Sequence, residues 1–485
     1  MEYKPTIGME VHVELKTKSK MFCACANGFG LEDEPNIDTC PVCMGQPGTL
    51  PVANEEAIKK VVKLGLAIGG KIPSTARFSR KNYFYPDLPK GYQITAQPDP
   101  FVIGGHIKVG ERNIKIDHVH LEEDTGKLTH PTNGDHSLVD LNRAGVPLLE
   151  LVTEPDMTSG IEARSFCEEL QLILRYIDAS NADMELGQMR CEVNVSISKE
   201  KKFGTKVEIK NLNSFKVVEK AIDYEIKRQT EVLYGGGKVV QETRGWDDNK
   251  GVTFSQRSKE EAHDYRYFPE PDLPALNLEN VEKVVVSEMP ELPAERRKRF
   301  ATEYSLPSAD IELLVINKKM GDYFEIVISE LKELEEDENI KDKKGKLIKL
   351  TTNYLSTELQ KLFKKNNGNF ETLNITAENF AEFIVLTHKG EISSSGAQTV
   401  LAEMFETGVD PSHIIESKNL KQISDSGELE AIAKSVVENN QDPVNDFKGG
   451  KQQALQFLVG QMMKASKGKA NPQIAGEILK KIIGE

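Results

Sequence analysis

The chain has 485 residues, more than one hydrophobic core supports, so about two to four domains are expected. Its 28% charged and 38% hydrophobic residues match an ordinary water-soluble protein, and no apolar run reaches the roughly 18 residues of a membrane span. The first residues also lack the apolar core of a signal peptide, which makes the cytoplasm the expected location. A net charge of −14 argues against indiscriminate nucleic-acid binding, yet residues 447–485 carry seven lysines against two acids and leave room for a local basic site.

Alternation of apolar and polar residues predicts strands at Thr6–Leu15, Asn113–Glu122, Leu138–Leu141, Leu148–Val152, Met189–Ile197 and Lys206–Ile209. Amphipathic helices are expected between them. One starts at Asn54, carries Ile58, Val61, Val62 and Ile68, and stops at Gly69-Gly70; a second opens on a Ser159/Glu162 capping box. A third runs from Ser214 to Tyr234 and ends on Gly235-Gly236-Gly237. From about Pro293 the spacing turns helical, at Ala294–Glu303, Ala309–Leu334, Tyr354–Lys365, Ala377–His388 and Ala397–Phe405. The charged run Glu333–Lys349 reads as a solvated loop. The expected division is 1–292, 293–408 and 409–485, the last being small, helical and basic at its end.

Strand parity carries the strongest chemical signal. In Ile7–Leu15 the odd positions are apolar, so Glu10 and His12 project together away from the core. Similar parity groups His118, His120 and Glu122, with Glu123 and Asp124 at the strand end. Asp140 with Asn142, Glu150 followed by Glu154, and Arg190, Glu192, Asn194 and Ser196 extend the polar set; Lys206, Glu208 and Lys210 close it. A solvated antiparallel face also needs polar residues at these positions. Here acids and histidines dominate, and gathered like charges call for a cation such as Mg²⁺ or Mn²⁺. Arg190, Lys206 and Lys210 beside such a metal suit a nucleoside triphosphate. No P-loop or GxGxxG fingerprint offers another phosphate site, since Gly235–Gly237 follows a helix and reads as its cap.

Cys23-Ala24-Cys25 and Cys40-Pro41-Val42-Cys43 either close around Zn²⁺, which four thiolates with no open coordination position would hold as a structural ion, or form an unfilled or redox-active set. Cys167 and Cys191 read as core residues. The segments Arg80–Gln93, with Tyr83 and Tyr85, and Asp264–Asp272 mix aromatics, cations and prolines. They either stack a nucleotide or terminal RNA base or cover a sheet edge. Lys464, Lys467 and Lys469 follow a helical stripe of Leu455, Leu458, Val459 and Met462 and are candidates for phosphate contacts to RNA.

The runs Ile7–Leu15, Arg80–Gln93, Leu121–Lys127, Ser137–Asp156, Met189–Ser198, Phe203–Phe215, Asp264–Asp272 and Gly460–Pro472 together resemble the B-subunit family of the bacterial aspartyl/glutamyl-tRNA(Asn/Gln) amidotransferases. The resemblance implies an α+β fold: an antiparallel-sheet cradle related to the glutamine synthetase catalytic domain, an all-α helical domain and a small α-helical tail domain. It implies that ATP phosphorylates the side-chain carboxyl of Glu-tRNA(Gln) or Asp-tRNA(Asn), and that ammonia from a glutaminase then attacks the acyl phosphate. It also implies a heterotrimer with two further polypeptides, an amidase (glutaminase) and a small third chain, because no glutaminase machinery is visible here; Ser393-Ser394-Ser395-Gly396 reads as a helix cap. By motif the family's Mg²⁺ site falls on Glu10, His12, Glu123 and Glu150. Strand parity favours Glu122, and a bulge near the strand end would reverse it, so both are retained with Glu123 preferred. Two other readings are a ligase acting on a free carboxylic acid and a tRNA-binding scaffold without chemistry. The intact acidic set argues against the scaffold, and the basic tail against the free-acid ligase.

Overall fold

Alternating sequence builds the N-terminal part around one long sheet. The computed structural model describes residues 2–28, 34–131, 134–258, 264–337, 345–422, 426–466 and 469–484, and divides into units 1–293 and 294–485. Ten strands form the main path in the first unit. They are β1 (Lys4–Glu14), β2 (Ser79–Asn82), β3 (Tyr92–Thr95), β4 (Arg112–Glu123), β5 (Pro147–Thr153), β6 (Met189–Ser198), β7 (Val207–Leu212), β8 (Glu242–Asp247), β9 (Val252–Ser258) and β10 (Phe268–Pro269). Their spatial order is β9-β8-β7-β6-β1-β5-β4-β3-β2-β10, and the short strands Val102–Ile103 and His106–Val109 also pair with β4.

β1 lies at the centre, antiparallel to β5 and β6. Its residues Ile7, Met9, Val11 and Val13 are at most 1% exposed and pack with Leu149, Leu151, Val119, Leu121, Val193 and Val195. Each such side chain contributes roughly 1.5–3 kcal/mol on burial. A one-residue slip would turn this whole set to the other face, so burial locks the register. Three helices cover the apolar side: α1 (Glu55–Ala67), α2 (Gly160–Tyr176) and α3 (Phe215–Tyr234), whose residues Ile58, Val61, Phe166, Leu170, Val218 and Ile222 join the same core. Asn54, Ser159 and Ser214 cap them by accepting from Ala57 N, Glu162 N and Val217 N.

Several expectations need correction. The sheet is mixed, because β7 and β8 run parallel; α3 lies between them in the chain and returns it in the same direction. The Ser159 capping box closes on only one side, since Glu162 Oε2 accepts from Thr158 N (2.8 Å) instead of Ser159 N. A fourth helix, α4 (Leu278–Ser287), has no counterpart among the predicted ones. The stretch expected as one helix at Ala309–Leu334 breaks at Asn317, whose side chain accepts from Met320 N (3.1 Å) and so starts a new helix. The charged run is not all loop: Glu333–Asp337 ends one helix, Lys346–Lys349 begins another, and 338–344 fall outside the described residues.

Among its described residues, the regular elements of the second unit are all helices, beside one isolated bridge between Ile392 and Lys421. Phe300, Phe324, Phe380 and Phe383 are fully buried in its first part. Toward the C-terminus Leu429, Ala433, Val436, Phe447, Leu458, Met462, Leu479 and Ile483 form a hydrophobic cluster of their own.

One polar network fastens α3 behind β6. Glu225, fully buried, accepts from Arg228 (2.6 and 2.9 Å), Gln229 (2.9 Å) and Thr253 of β9 (3.0 Å), while Gln229 also donates to the Val195 carbonyl of β6 (3.2 Å). Removing this carboxylate would leave Arg228 with Glu242 at 3.9 Å and deprive Thr253 of its acceptor. Glu225→Ala is expected to cost about 3 kcal/mol; an unchanged denaturation midpoint would show that water replaces the carboxylate.

Candidate active site

The register that buries the apolar side sets the chemistry of the opposite side. His12 lies directly across from Glu150 on β5 and from Arg190 on β6, and Glu10 across from Glu192. Glu150 in turn faces His120 on β4, and Thr95 of β3 pairs with Glu122. Facing residues of antiparallel neighbours project to the same side, so four strands, β1, β4, β5 and β6, deliver acids and imidazoles to one surface. Glu10, His12 and Glu150 each offer a ligand atom, and these atoms all lie within 4.8 Å of one another. His12 Nε2 is 3.8 Å from Glu10 Oε1.

Proton affinities record the strain of this arrangement. Burial, reinforced by Glu150 and Glu192 and opposed by Lys210, pushes Glu10 up from 4.5 to about 7. Burial and the charge of Glu122 push Glu150 up to about 8, and burial moves Glu122 to about 7 against the pull of Lys81. His12 is held down to about 3 by burial and Arg190, which leaves it neutral with a lone pair available. Carboxylates that resist ionising beside a neutral imidazole fit a hard divalent cation, whose charge would relieve both penalties.

Cations flank this set. Arg190 Nη2 donates to Asp124 Oδ2 at 2.5 Å, and Arg143 Nε lies 3.7 Å from the same oxygen. Glu14, with Oε1 4.0 Å from Arg190 Nη1, is pushed up to about 8 by burial and Asp124. Lys210 Nζ sits 2.7 Å from Glu192 Oε2 and 3.8 Å from Glu208 Oε1. Lys206 precedes β7 and is exposed. Lys81 is a cation that sequence reasoning misses. It alternates with Arg80 on β2, feels the charges of Glu122 and Glu150, and lies over the rings of Tyr265 (5.0 Å) and Tyr83 (6.0 Å). Its strand is only four residues long, too short for parity to stand out in sequence.

Other residues fall elsewhere. Glu123 projects to the opposite side of β4, where Lys90 and Ile94 N (2.9 Å) bind its Oε1 beside a cavity of about 190 Å³ lined also by Arg80, Tyr92 and Cys43. The bulge that would have exchanged it with Glu122 is absent, because the β4–β5 register shifts only at Val152/Thr153, the far end. Asp140 and Asn142 serve the cysteine loop: Asp140 Oδ1 accepts from Asn36 N (3.1 Å), and Asn142 accepts from Asp38 N (3.0 Å) and donates to the Glu34 carbonyl (2.8 Å). Glu154 is exposed beyond the end of β5.

That loop brings Cys23, Cys25, Cys40 and Cys43 together with sulfurs within 4.8 Å of one another. The Cys40–Cys43 separation of 3.9 Å is close to the edge of a ZnS₄ tetrahedron, about 3.8 Å for Zn–S bonds of about 2.3 Å. Cys43 is drawn down to about 5 by hydrogen bonds from Cys23 and the Cys40 amide and by Lys20, while burial and neighbouring thiols raise Cys25 to about 11. Cys167 and Cys191 are buried in the core, as expected, with sulfurs 3.7 Å apart.

The two aromatic segments lie side by side. Phe268 of β10 pairs with Arg80 of β2, Asn82 donates to the Tyr265 (3.1 Å) and Arg266 (2.8 Å) carbonyls, and Tyr83 packs on Tyr265 at 6.1 Å. They do border the sheet edge, yet Phe84 (91%) and Tyr85 (60%) stay exposed. In the tail, Lys464 is exposed and Lys469 half-buried; Lys467 lies outside the described residues.

Comparison with known proteins identifies the family. Residues 5–283 match the GatB/GatE catalytic domain and residues 338–483 the GatB domain. The B subunit of the aspartyl/glutamyl-tRNA(Asn/Gln) amidotransferase of Persephonella marina is 46% identical over 493 residues, covering 100% of both chains. Proteins of that name from Caldanaerobacter subterraneus subsp. tengcongensis (45%, 99% of each chain) and Myxococcus xanthus (44%, 100% of this chain and 99% of the other) are similar over the same extent. With a catalytic-domain match spanning the carboxylate cradle and end-to-end similarity to its members, this chain belongs to the family of aspartyl/glutamyl-tRNA(Asn/Gln) amidotransferase B subunits.

Proposed function

We propose that the chain activates the side-chain carboxyl of Glu-tRNA(Gln), Asp-tRNA(Asn) or both with ATP, and then transfers ammonia to it within a heterotrimer whose other members are an amidase (glutaminase) and a small third chain. The observation that carries this reading is the convergence of Glu10, His12 and Glu150 within 4.8 Å, beside Arg190, Lys210 and Lys81. A carboxylate is a poor electrophile. Phosphorylation forms a bond between its oxygen and the γ-phosphorus as the bond to ADP breaks. Ammonia then forms the C–N bond, phosphate leaves with the C–O electrons, and the nitrogen loses a proton.

On this reading Glu10, His12 and Glu150 would hold Mg²⁺, with Glu122 as a third carboxylate whose charge reaches Glu150. A divalent cation held by these residues would supply positive charge to offset that of the transferring phosphoryl group. Arg190 is held by Asp124, and Lys210 by Glu192 and Glu208, which positions both cations without neutralising the acids nearest the metal. Lys81, resting over aromatic rings, can approach a phosphate that enters the cradle. We further read the cradle as a relative of the glutamine synthetase catalytic domain, the four cysteines as a structural Zn²⁺ site, and 293–408 and 409–485 as helical and tail domains. Lys464, Lys467 and Lys469 in the tail, and Tyr83 and Tyr85 by the cradle, are tRNA contacts on this reading.

In the assembled complex, ATP hydrolysis should respond to mischarged Glu-tRNA(Gln) or Asp-tRNA(Asn) and not to free glutamate, and Glu10→Gln should lower amidation at least about 100-fold with tRNA binding retained. Equal turnover on free glutamate would favour a small-acid ligase, and none on either a tRNA-binding scaffold.

The raised carboxyl groups make a pH test possible. Glu10 and Glu150, ordinarily near 4.5, hold protons up to about 7 and 8 in the metal-free fold. The stability they contribute is present below 4.5 and is lost as pH rises through 7–8, where a divalent cation would restore it. Mg²⁺ should therefore raise Tm by about 2–4 °C more at pH 8.5 than at pH 6; equal increments at both would remove these residues from a metal site.

Metal analysis should find about one zinc per chain, lost in Cys40→Ser together with a lower Tm. Zinc-free wild-type protein of unaltered stability would leave the cysteines as plain thiols.

A further inference from the structure

Lys20 is the most deeply buried cation among the described residues, with 1% of its surface exposed. A charged side chain leaves water at a high cost unless it is paired or bound to a metal site. The two other buried cations, Lys60 and Arg296, follow that rule. Lys60 lies 3.6 Å from Glu56 and 3.9 Å from Asp178, and Arg296 reaches Asp322 (2.8 Å) and Glu325 (2.6 Å). Lys20 does not. Its Nζ donates to two backbone carbonyls, those of Asp38 (2.6 Å) and Leu141 (3.3 Å), and no carboxylate among the described residues pairs with it. Carbonyl dipoles satisfy two of its donors and leave its charge uncancelled.

What surrounds this ammonium is the cysteine loop. Lys20 N donates to the Cys25 carbonyl (3.0 Å), and Asp38, which accepts from Nζ, stands just ahead of Cys40. Gly145, at φ +89°, fills the corner between the lysine and the second cysteine pair. A Cβ there would stand 3.6 Å from Cys43 Cβ and 3.6 Å from Lys20 Cδ, so the two side chains flank one point. The lysine has little freedom to turn away. Asn54 Nδ2 donates to its carbonyl (3.2 Å), and Met21 N donates to the Gly145 carbonyl (2.7 Å). Through Leu141 the same ammonium reaches the segment that carries Arg143 beside Asp124.

We propose that Lys20 is the counter-ion of the metal-bound cysteine set and positions its loop. This rests on the reading of the four cysteines as a zinc site. Four thiolates around one Zn²⁺ leave two negative charges uncancelled, and three of the four cysteines are only half-exposed while Cys43 is buried. A lone buried ammonium and an over-charged thiolate cluster are each costly alone and cheaper together. Lys20 therefore offsets one of the two excess charges, and its hydrogen bonds to Asp38 and Leu141 keep that charge beside the cluster. Partners that hold and balance the ligands of a metal commonly set its affinity nearly as strongly as the ligands do.

The test is a double-mutant cycle on the full chain, with Lys20→Met made in the wild-type and in the Cys40→Ser background. Methionine keeps the apolar stem and drops the charge. Zinc affinity is read by competition with a chelator, and Tm is read with and without zinc. Lys20→Met should raise the zinc Kd about 10–100-fold and lower the Tm of the zinc-loaded chain. In the zinc-free Cys40→Ser chain the same substitution should leave Tm unchanged or raise it, because it removes a buried cation that has no counter-ion there. An equal fall of Tm in both backgrounds, or failure to fold in both, would make Lys20 a mere peg for two carbonyls and overturn the proposal. So would an unaltered zinc Kd. Failure of the zinc reading itself looks different: wild-type chain would then hold no zinc at all.

Discussion

Packing like charges on one face of a sheet is the constraint around which this molecule is arranged. Glu10, Glu150, Glu122 and Glu192 stand on neighbouring strands with their charges in reach of one another, and burial makes the crowding worse. Left alone they would spread apart or take up protons. They are kept together because the other side of the same strands is an apolar core, and register cannot slip without exposing Ile7, Met9, Val11 and Val13. Hydrophobic burial on one side thus sustains electrostatic stress on the other. Such a site suits a divalent cation, whose charge would relieve a cost already present in the fold.

The surrounding cations relieve this stress only in part, since Glu10, Glu122 and Glu150 stay raised despite Lys210 and Lys81. Arg190 could have reached a cradle carboxylate, but Asp124 holds it, and Asp124 is itself kept ionised by Arg190 and Arg143. Lys210 is taken up by Glu192 and Glu208. The triad of Glu10, His12 and Glu150 keeps its own ligand atoms turned toward one point. Behind the sheet, the Glu225 network and the capped helices hold the strands that bear these groups.

The loop-borne features depend on the same scaffold. The cysteine cluster is joined by a loop that Asn142 and Asp140 pin to the segment between β4 and β5, close to the end of the carboxylate strands. The aromatic segments at 80–93 and 264–272, far apart in sequence, meet through the β2–β10 pairing and surround Lys81. A cavity beside His118 and His120 borrows Tyr267 from the second of these segments.

Much of this was legible in the order of residues alone. Period-two alternation is a local property, so it revealed β1, β4, β5 and β6 and assigned Glu10, His12, Glu122, Glu150, Arg190 and Glu192 to the polar side. Spacing identified the cysteine set, and caps marked the helix starts at Asn54, Ser159 and Ser214. Which strands lie next to each other is not local. Only the tertiary pairing of β1 with both β5 and β6 brought Glu10, His12 and Glu150 to one point. It also separated adjacent residues: Glu122 stays in the cradle while Glu123 turns to Lys90, because an unbroken strand sends neighbours to opposite sides. Asp140 and Asn142 have the right parity for the cradle, yet Leu138–Asp140 pairs with Lys127–Thr129 in a separate two-stranded sheet, and both side chains bind the cysteine loop. Lys81 and the His118–His120 cavity needed distant partners in Tyr265 and Tyr267, contacts that chain folding creates and no pattern within a strand can foretell.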